Sequence, residues 1–377
     1  MAVPLPPSQD LLVFSDDFGR APSAPQHLLA RLAGDRRVLW VEPAGLRAPR
    51  PSRADLRRSV QKLRGALAGP SGEPWLATPP GLVRHVPPVA PGYGHRLVRA
   101  ANDALLVRSV RRALAARGME RPLLITTIPT MAGAVGQLGE VASVYLRMDD
   151  FTLWPGYDHA AIAEREALLL ERADLLVAPS PALLEVPARR RHLLPHGVDA
   201  AHFATGGEDP FGDLPRPRVL VSGRIDARYD ADLLRALDDP RWTLVLLGDL
   251  RTPAPPRAVR FPSVPYGELP RWLHGADVLV APYAGTPLGH SLAPLKLREL
   301  LATGRPVITT SVRGVIEDPE LADRVTLADT PEALRGAVAA ALADPTPALP
   351  LPASADWEAR AAALGDLLAT LLPSDPL

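Results

Sequence analysis

The chain alternates short apolar runs with longer stretches in which apolar positions recur every three or four residues. The short runs are LLVFS (11–15), RVLWV (37–41), LLITT (123–127), SVYLRM (143–148) and DLLVAPS (174–180), then RVLVSG (218–223), TLVLLG (243–248), DVLVAPY (277–283) and PVITT (306–310). Several are apolar on both faces, which predicts parallel strands covered by helices on both sides. Between them lie PQHLLARLAG, AAIAEREALLLERA, ADLLRALDD and APLKLRELLATG, all with helical spacing. Strand–helix alternation of this kind predicts a doubly wound α/β fold.

The alternation occurs twice. The first series closes near LLPHGVDAAHF (193–203), and ATGGEDPFGDLPRPR (204–218) reads as a linker. The expected division is a first Rossmann-like domain over 1–205, a second over 206–352 and a C-terminal helical segment over 353–377. Two such domains facing a central cleft would bind ligands beyond the carboxyl ends of their strands.

Composition narrows this picture. A chain of 377 residues suits two domains of about 150–200 residues each. No apolar run approaches the roughly 18–20 residues of a membrane span, and MAVPLPPSQD has no basic n-region, so no signal peptide is expected. With no cysteine, disulfides, thiolate metal sites and cysteine nucleophiles are excluded. Net charge is zero but uneven: residues 1–120 hold 18 Lys+Arg against 9 Asp+Glu, and the rest 24 against 33. Only two of the 42 basic residues are lysines, Lys62 and Lys296.

Lys296 lies where a helix is expected, with Ser291 as its cap, Pro294 near the first turn and Gly304 ending it. A helix N-terminus favours phosphate, and a lysine on its second turn would reach the same oxygens. Glu299, on the same face, could accept hydrogen bonds from a ribose diol. Gly223 permits close backbone approach, and Arg224 and Arg228 could contact a diphosphate. Asp149 and Asp150 end a strand of the first domain, where a carboxylate suits deprotonation of an acceptor hydroxyl. One of the pair is expected to cap the following turn. Arg20, Gln26 and His27, in the first strand-to-helix loop, are candidates for acceptor contacts. RADLRRSVQKLRGALAG (53–69) and HRLVRAANDALLVRSVRRALAARG (95–118) are basic amphipathic patches able to lie on an anionic membrane. Nucleic acid is not expected, because no basic groove is interleaved with aromatics.

The segment APYAGTPLGHSLAPLKLRELLATGRPVITT resembles the donor-binding segment of GT-B glycosyltransferases, through Pro294, Leu295, Lys296, Glu299, Ala302, Gly304, Pro306 and Val307. The resemblance runs from about residue 11 to 340. It implies a nucleotide-diphosphate sugar, UDP- or GDP-linked, whose diphosphate is held by the helix N-terminus and Lys296 and whose ribose is held by Glu299. Tyr283, His290, Ser291, Leu292, Leu295, His196 and Gly197 would line the donor site. Asp17, Arg20, Gln26, His27 and Trp154 would face a saccharide or lipid-linked saccharide acceptor. Asp149 corresponds to the catalytic aspartate of the glucuronosyltransferase-like branch, with Asp150 the neighbouring choice. Retaining members carry an acid eight residues before the glutamate, where this chain has Ser291, so the sequence is closer to the branch of teichuronic-acid-type transferases and the xanthan glucuronosyltransferase.

The final helix, DWEARAAALGDLLATLL (356–372), resembles the one that crosses back to the first domain in this fold. The resemblance also implies a metal-independent, cofactor-free cytoplasmic enzyme of cell-surface polysaccharide or glycoconjugate synthesis, acting at the inner face of the membrane. The competing expectations are a UDP-sugar epimerase-like enzyme and a non-catalytic GT-B relative serving a polysaccharide assembly complex. A Rossmann dehydrogenase is disfavoured, because SDDFGRAP stands where G-x-G-x-x-G would follow the first strand.

Overall fold

The computed structural model describes residues 4–42, 75–89 and 95–373. The basic stretch 53–69 lies outside the described residues. The chain divides into two compact units, one comprising residues 1–179, 183–194 and 361–377, the other 180–182 and 195–360.

In the first unit seven parallel strands are ordered β3-β2-β1-β4-β5-β6-β7. They are β1 Leu11–Phe14, β2 Val38–Val41, β3 Leu82–His85, β4 Leu123–Thr126, β5 Ala142–Leu146, β6 Leu175–Ala178 and β7 Arg191–Leu193. Every residue of β1, β2, β4, β5 and β6 is buried, as strands covered on both faces must be. The central register sets Leu11 between Val38 and Leu123. Helices Ala24–Ala33, Arg96–Ala115 and His159–Arg172 cover the sheet. Ser23 and Asp158 cap the first and last through their side chains.

The second unit holds six parallel strands, ordered β10-β9-β8-β11-β12-β13. They are β8 Arg218–Ile225, β9 Thr243–Leu250, β10 Val259–Phe261, β11 Val278–Ala281, β12 Val307–Thr309 and β13 Thr326–Leu327. Its apolar core centres on β8, β9 and β11 and on Leu297, Leu300 and Leu301 of the helix Leu295–Ala302. Residues 195–199 join this unit through backbone pairing: Val198 N–H donates to the Ala355 carbonyl (2.8 Å), and Trp357 N–H to that of Val198 (3.3 Å).

In both sheets the strand order reverses beside the first strand of the unit, between β1 and β4 and between β8 and β11. These are the switch points at which such sheets open a crevice for ligands.

Candidate functional site

At the switch point of the second unit, β8 runs into GRIDARYD and β11 into PYAGTPLGHS. The two loops are tied together by an antiparallel bridge between Tyr229 and Tyr283. Asp230 N–H donates to the Pro282 carbonyl and Ala284 N–H to that of Arg228, each at 2.8 Å. The tyrosine rings lie 5.3 Å apart, and the Tyr229 hydroxyl donates to the Ser222 carbonyl at 3.2 Å. Burial raises both phenol pKa values, so both stay protonated at neutral pH.

Lys296 lies over this junction. A Cβ placed on Gly223, whose φ is +106°, would stand 3.0 Å from the Lys296 Cε, so the glycine makes room for the lysine stem. The ammonium donates to Glu299 Oε2 at 3.0 Å, and Glu299 itself is buried. Burial pulls the Lys296 pKa down, and the Arg228 charge adds to that pull. The Glu299 carboxylate, through its charge and its hydrogen bond, overcomes both, so the pKa ends above the usual lysine value. The result is a fixed ammonium, on a side chain about one-quarter exposed, at the carboxyl end of β8, with a buried carboxylate behind it.

Local sequence explains the placement, with one correction to the expected cap. Ser291 does not cap the helix that carries Lys296. It ends a separate short helix, Pro287–Ser291, which is capped by Thr286, and its hydroxyl donates to the Leu288 carbonyl. Leu292 is extended, and the helix Leu295–Ala302 starts after Pro294 with no side-chain cap. Lys296 therefore falls in the first turn rather than the second. Gly304, at φ +72°, closes that helix.

The remaining donor-side candidates scatter. Arg228 grips Asp226 through two guanidinium nitrogens (2.8 and 3.0 Å) and stays close enough to act on Lys296. Arg224 is half-exposed and shares Asp249 with Arg251. His290 accepts from Arg313 N–H at 3.4 Å, Leu292 is buried against Gly314, and Leu295 is half-buried.

His196 and Gly197 pack on the C-terminal segment. A Cβ on Gly197 would meet the Trp357 ring at 2.6 Å, and the His196 ring lies 6.3 Å from that ring. Beside them Arg298 pairs with Asp318 (2.6 Å) and Glu320 (2.5 Å), and Arg360 with Glu320 (2.5 Å). Burial, reinforced by the Arg298 and Arg360 charges, drives the His196 pKa down to about 3. The unfolded chain then binds a proton that the folded chain refuses between about pH 6.5 and pH 3, so stability falls as pH drops through that window. The slope from this residue is about 1.4 kcal/mol per pH unit. Urea titrations between pH 7 and pH 4 should show it, and His196→Asn should flatten it.

In the first unit, Asp150 caps the turn Phe151–Leu153 through Thr152 N–H and pairs with the buried Arg147 at 3.2 Å. Arg147 is locked by Glu166, which also accepts from the Tyr145 hydroxyl (2.7 Å). Asp149, half-buried, comes three residues beyond the end of β5, and Trp154 follows the capped turn. The acceptor-side candidates of the β1 loop hold the loop itself. Gln26, fully buried, donates to Asp16 Oδ2 (2.9 Å) and accepts from Gly19 N–H (2.8 Å). His27 packs on Trp75, with ring centroids 4.6 Å apart, and Asp17 pairs with Arg20 at 2.8 Å.

Sequence reasoning missed Asp16. Burial raises its carboxyl above the usual range, against hydrogen bonds from Gln26, Ser23 and Ser15. Its position two residues beyond the end of β1, at the switch point, was the signal that could have found it. It also missed Tyr229 and Gly248.

Comparison with known proteins fits this geometry. Structures that resemble the whole chain include sucrose-phosphate synthase from Thermosynechococcus elongatus (TM-score 0.64, 18% identity, covering 97% of this chain and 94% of that one). Anabaena Alr3699/HepE in complex with UDP and glucose gives 0.60 at 15% identity, covering 96% of each chain. The trehalose-6-phosphate protein of E. coli bound with UDP-2-fluoro glucose gives 0.55 at 12% identity, again covering 96% of each. The fold is that of GT-B glycosyltransferases. More narrowly, residues 216–344, which contain the Lys296 site, match the family described as Glycosyl transferases group 1. TuaH of Bacillus subtilis, named for a glycosyltransferase of teichuronic acid biosynthesis, is 25% identical over 173 residues, which is 40% of this chain and 44% of that protein.

Proposed function

We propose that this protein is a glycosyltransferase that moves a sugar from a nucleotide-diphosphate sugar to a hydroxyl of a saccharide acceptor. The observation that carries the reading is the Lys296 ammonium held over Gly223 at the β8–β11 switch point, with Glu299 behind it. The family match over the same residues supports it, and so does the binding of UDP and UDP-sugars by structural neighbours.

In this reading the diphosphate takes the place of Glu299 as the main partner of Lys296. As the bond between the anomeric carbon and the diphosphate oxygen breaks, its electron pair leaves with the nucleotide. The growing negative charge is met by Lys296 and Arg228, fixed before the reaction begins. No metal enters the proposed step. Asp149 takes the proton of the attacking hydroxyl in an inverting transfer. Asp150 caps the following turn and pairs with Arg147; Asp149 stands at the position that corresponds to the catalytic aspartate of the glucuronosyltransferase-like branch. Donors related to teichuronic acid synthesis are the first to try, because TuaH is a relative.

The test is nucleotide release from a panel of UDP- and GDP-sugars offered with saccharide acceptors. Asp149→Asn is expected to lower turnover by about 10²–10⁴-fold while leaving nucleotide affinity unchanged. Tight nucleotide binding without turnover in the wild type would favour a non-catalytic role. Conversion of the donor without any acceptor would favour an epimerase.

A further inference from the structure

Tyr145, Arg147 and Glu166 form a buried charged network in the first unit. Glu166 comes from the helix His159–Arg172, which packs on the turn Phe151–Leu153. Its Oε1 accepts from the Tyr145 hydroxyl (2.7 Å) and from Arg147 Nε (2.9 Å), and its Oε2 from Arg147 Nη2 (3.1 Å). Arg147 Nη1 donates to the Leu183 carbonyl at 3.0 Å. The same guanidinium reaches Asp150 Oδ2 at 3.2 Å, while Asp150 Oδ1 accepts from Thr152 N–H at 3.0 Å. Burial and the Glu166 charge push the Tyr145 phenol well above its ordinary pKa, so it stays a donor.

A buried Arg–Glu pair adds little stability over apolar side chains of the same size. What this one fixes is a position. The Arg147–Asp150 pair closes a loop of four residues, with Asp149 inside it. At the start of the loop, Arg147 N–H donates to the Val177 carbonyl of β6 at 2.8 Å. At its end, Asp150 caps the next turn. The planar fork of an arginine suits this closure, because it meets two carboxylates at fixed angles. A carboxylate that takes a proton from a substrate hydroxyl has to be held to about 0.5 Å, and about 1 Å of misplacement lowers the rate roughly a hundredfold.

We propose that Glu166 and Tyr145 are positioning residues for Asp149. They hold the Arg147 guanidinium, which closes the 147–150 loop and sets the Asp149 carboxylate against the acceptor hydroxyl. The proposal rests on the transferase reading above. Both residues are buried and act through Arg147, and neither belongs to the Lys296 site.

The test is a double-mutant cycle in the full chain, with turnover, donor KM and nucleotide affinity measured for E166Q, D149N and E166Q/D149N. E166Q is expected to lower kcat by about 10–100-fold and to leave donor KM and nucleotide affinity at the wild-type values. In the D149N background it should have no further effect on the residual turnover, because nothing is left to position. Amide exchange over residues 148–153 should speed up in E166Q while β4 and β6 keep their protection. Y145F removes one of the hydrogen bonds to Glu166 and should lower kcat by about three- to tenfold. R147M/E166L replaces the pair by apolar side chains, so it should keep the unfolding temperature and still lose turnover. Unchanged turnover in E166Q or in R147M/E166L, unchanged exchange over 148–153, or an equal loss with and without Asp149 would overturn the proposal alone. A wild type that turns over no donor would overturn the transferase reading, and the positioning role with it.

Discussion

Replacing Lys296 by alanine is expected to weaken nucleoside-diphosphate binding by about a hundredfold, measured by calorimetric titration. A hydrogen bond to a charged group contributes about 1.5–3 kcal/mol, and each 1.4 kcal/mol is tenfold in affinity. The substitution has a second consequence in the absence of nucleotide. Glu299 is 7% exposed and Lys296 is its ion-pair partner at 3.0 Å. A buried carboxylate that loses its partner destabilises the fold by about 3 kcal/mol. Lys296→Ala should therefore lower the unfolding temperature as well. Adding Glu299→Gln should restore much of that stability and none of the affinity. This split separates a binding role of the ammonium from a purely structural one.

Gly248→Ala is expected to do more damage than any substitution at the site itself. Gly248, at φ +133°, pairs with Gly223 across β8 and β9. A Cβ on it would stand 2.1 Å from the Gly223 carbonyl oxygen, which belongs to backbone and cannot rotate away. The two strands would have to separate beneath Lys296, at a cost of about 4 kcal/mol or more. That is a large part of the stability of a domain. The second unit should unfold or fail to accumulate, seen as loss of soluble protein and of the thermal transition. Gly136→Ala makes the control. It also has positive φ (+80°) but nothing within 4 Å of the added Cβ, so it should cost about 1–2 kcal/mol, the backbone penalty alone.

Nine strands were legible as apolar runs, and all nine lie inside their sheets. Among the described residues, the four strands that were not, β3, β7, β10 and β13, are the edges of the two sheets. An edge strand has one unpaired side and less cover, so it tolerates polar residues. LVRH, RHL, VRF and TL carry no continuous apolar signal. The helix around Lys296 was legible from its spacing and from Gly304, but its start was misplaced. Thr286 caps a separate turn ahead of it, and nothing in GTPLGHSLAP distinguishes one helix from two.

The same limit applies to the chemistry. Lys296 stood out because the chain otherwise uses arginine almost throughout, and Glu299 came from helical spacing. Tyr229 and Gly248 were invisible because their roles depend on which loops and strands pair, through the Tyr229–Tyr283 bridge and the register that puts Gly248 beside Gly223. Gln26 and His27 read in the sequence as contacts for a ligand. They are buried residues that shape the β1 loop, a distinction that the local sequence does not encode.

The central claim is that Lys296 receives the β-phosphate of a nucleotide, and comparing diphosphate with monophosphate tests it most directly. UDP and UMP, then GDP and GMP, would be titrated into the wild-type chain and into Lys296→Ala. The account predicts that one diphosphate binds the wild type at least tenfold more tightly than its monophosphate, and that this gap closes in the variant. Equal affinity for diphosphate and monophosphate in the wild type, or a gap that survives loss of the ammonium, would contradict it.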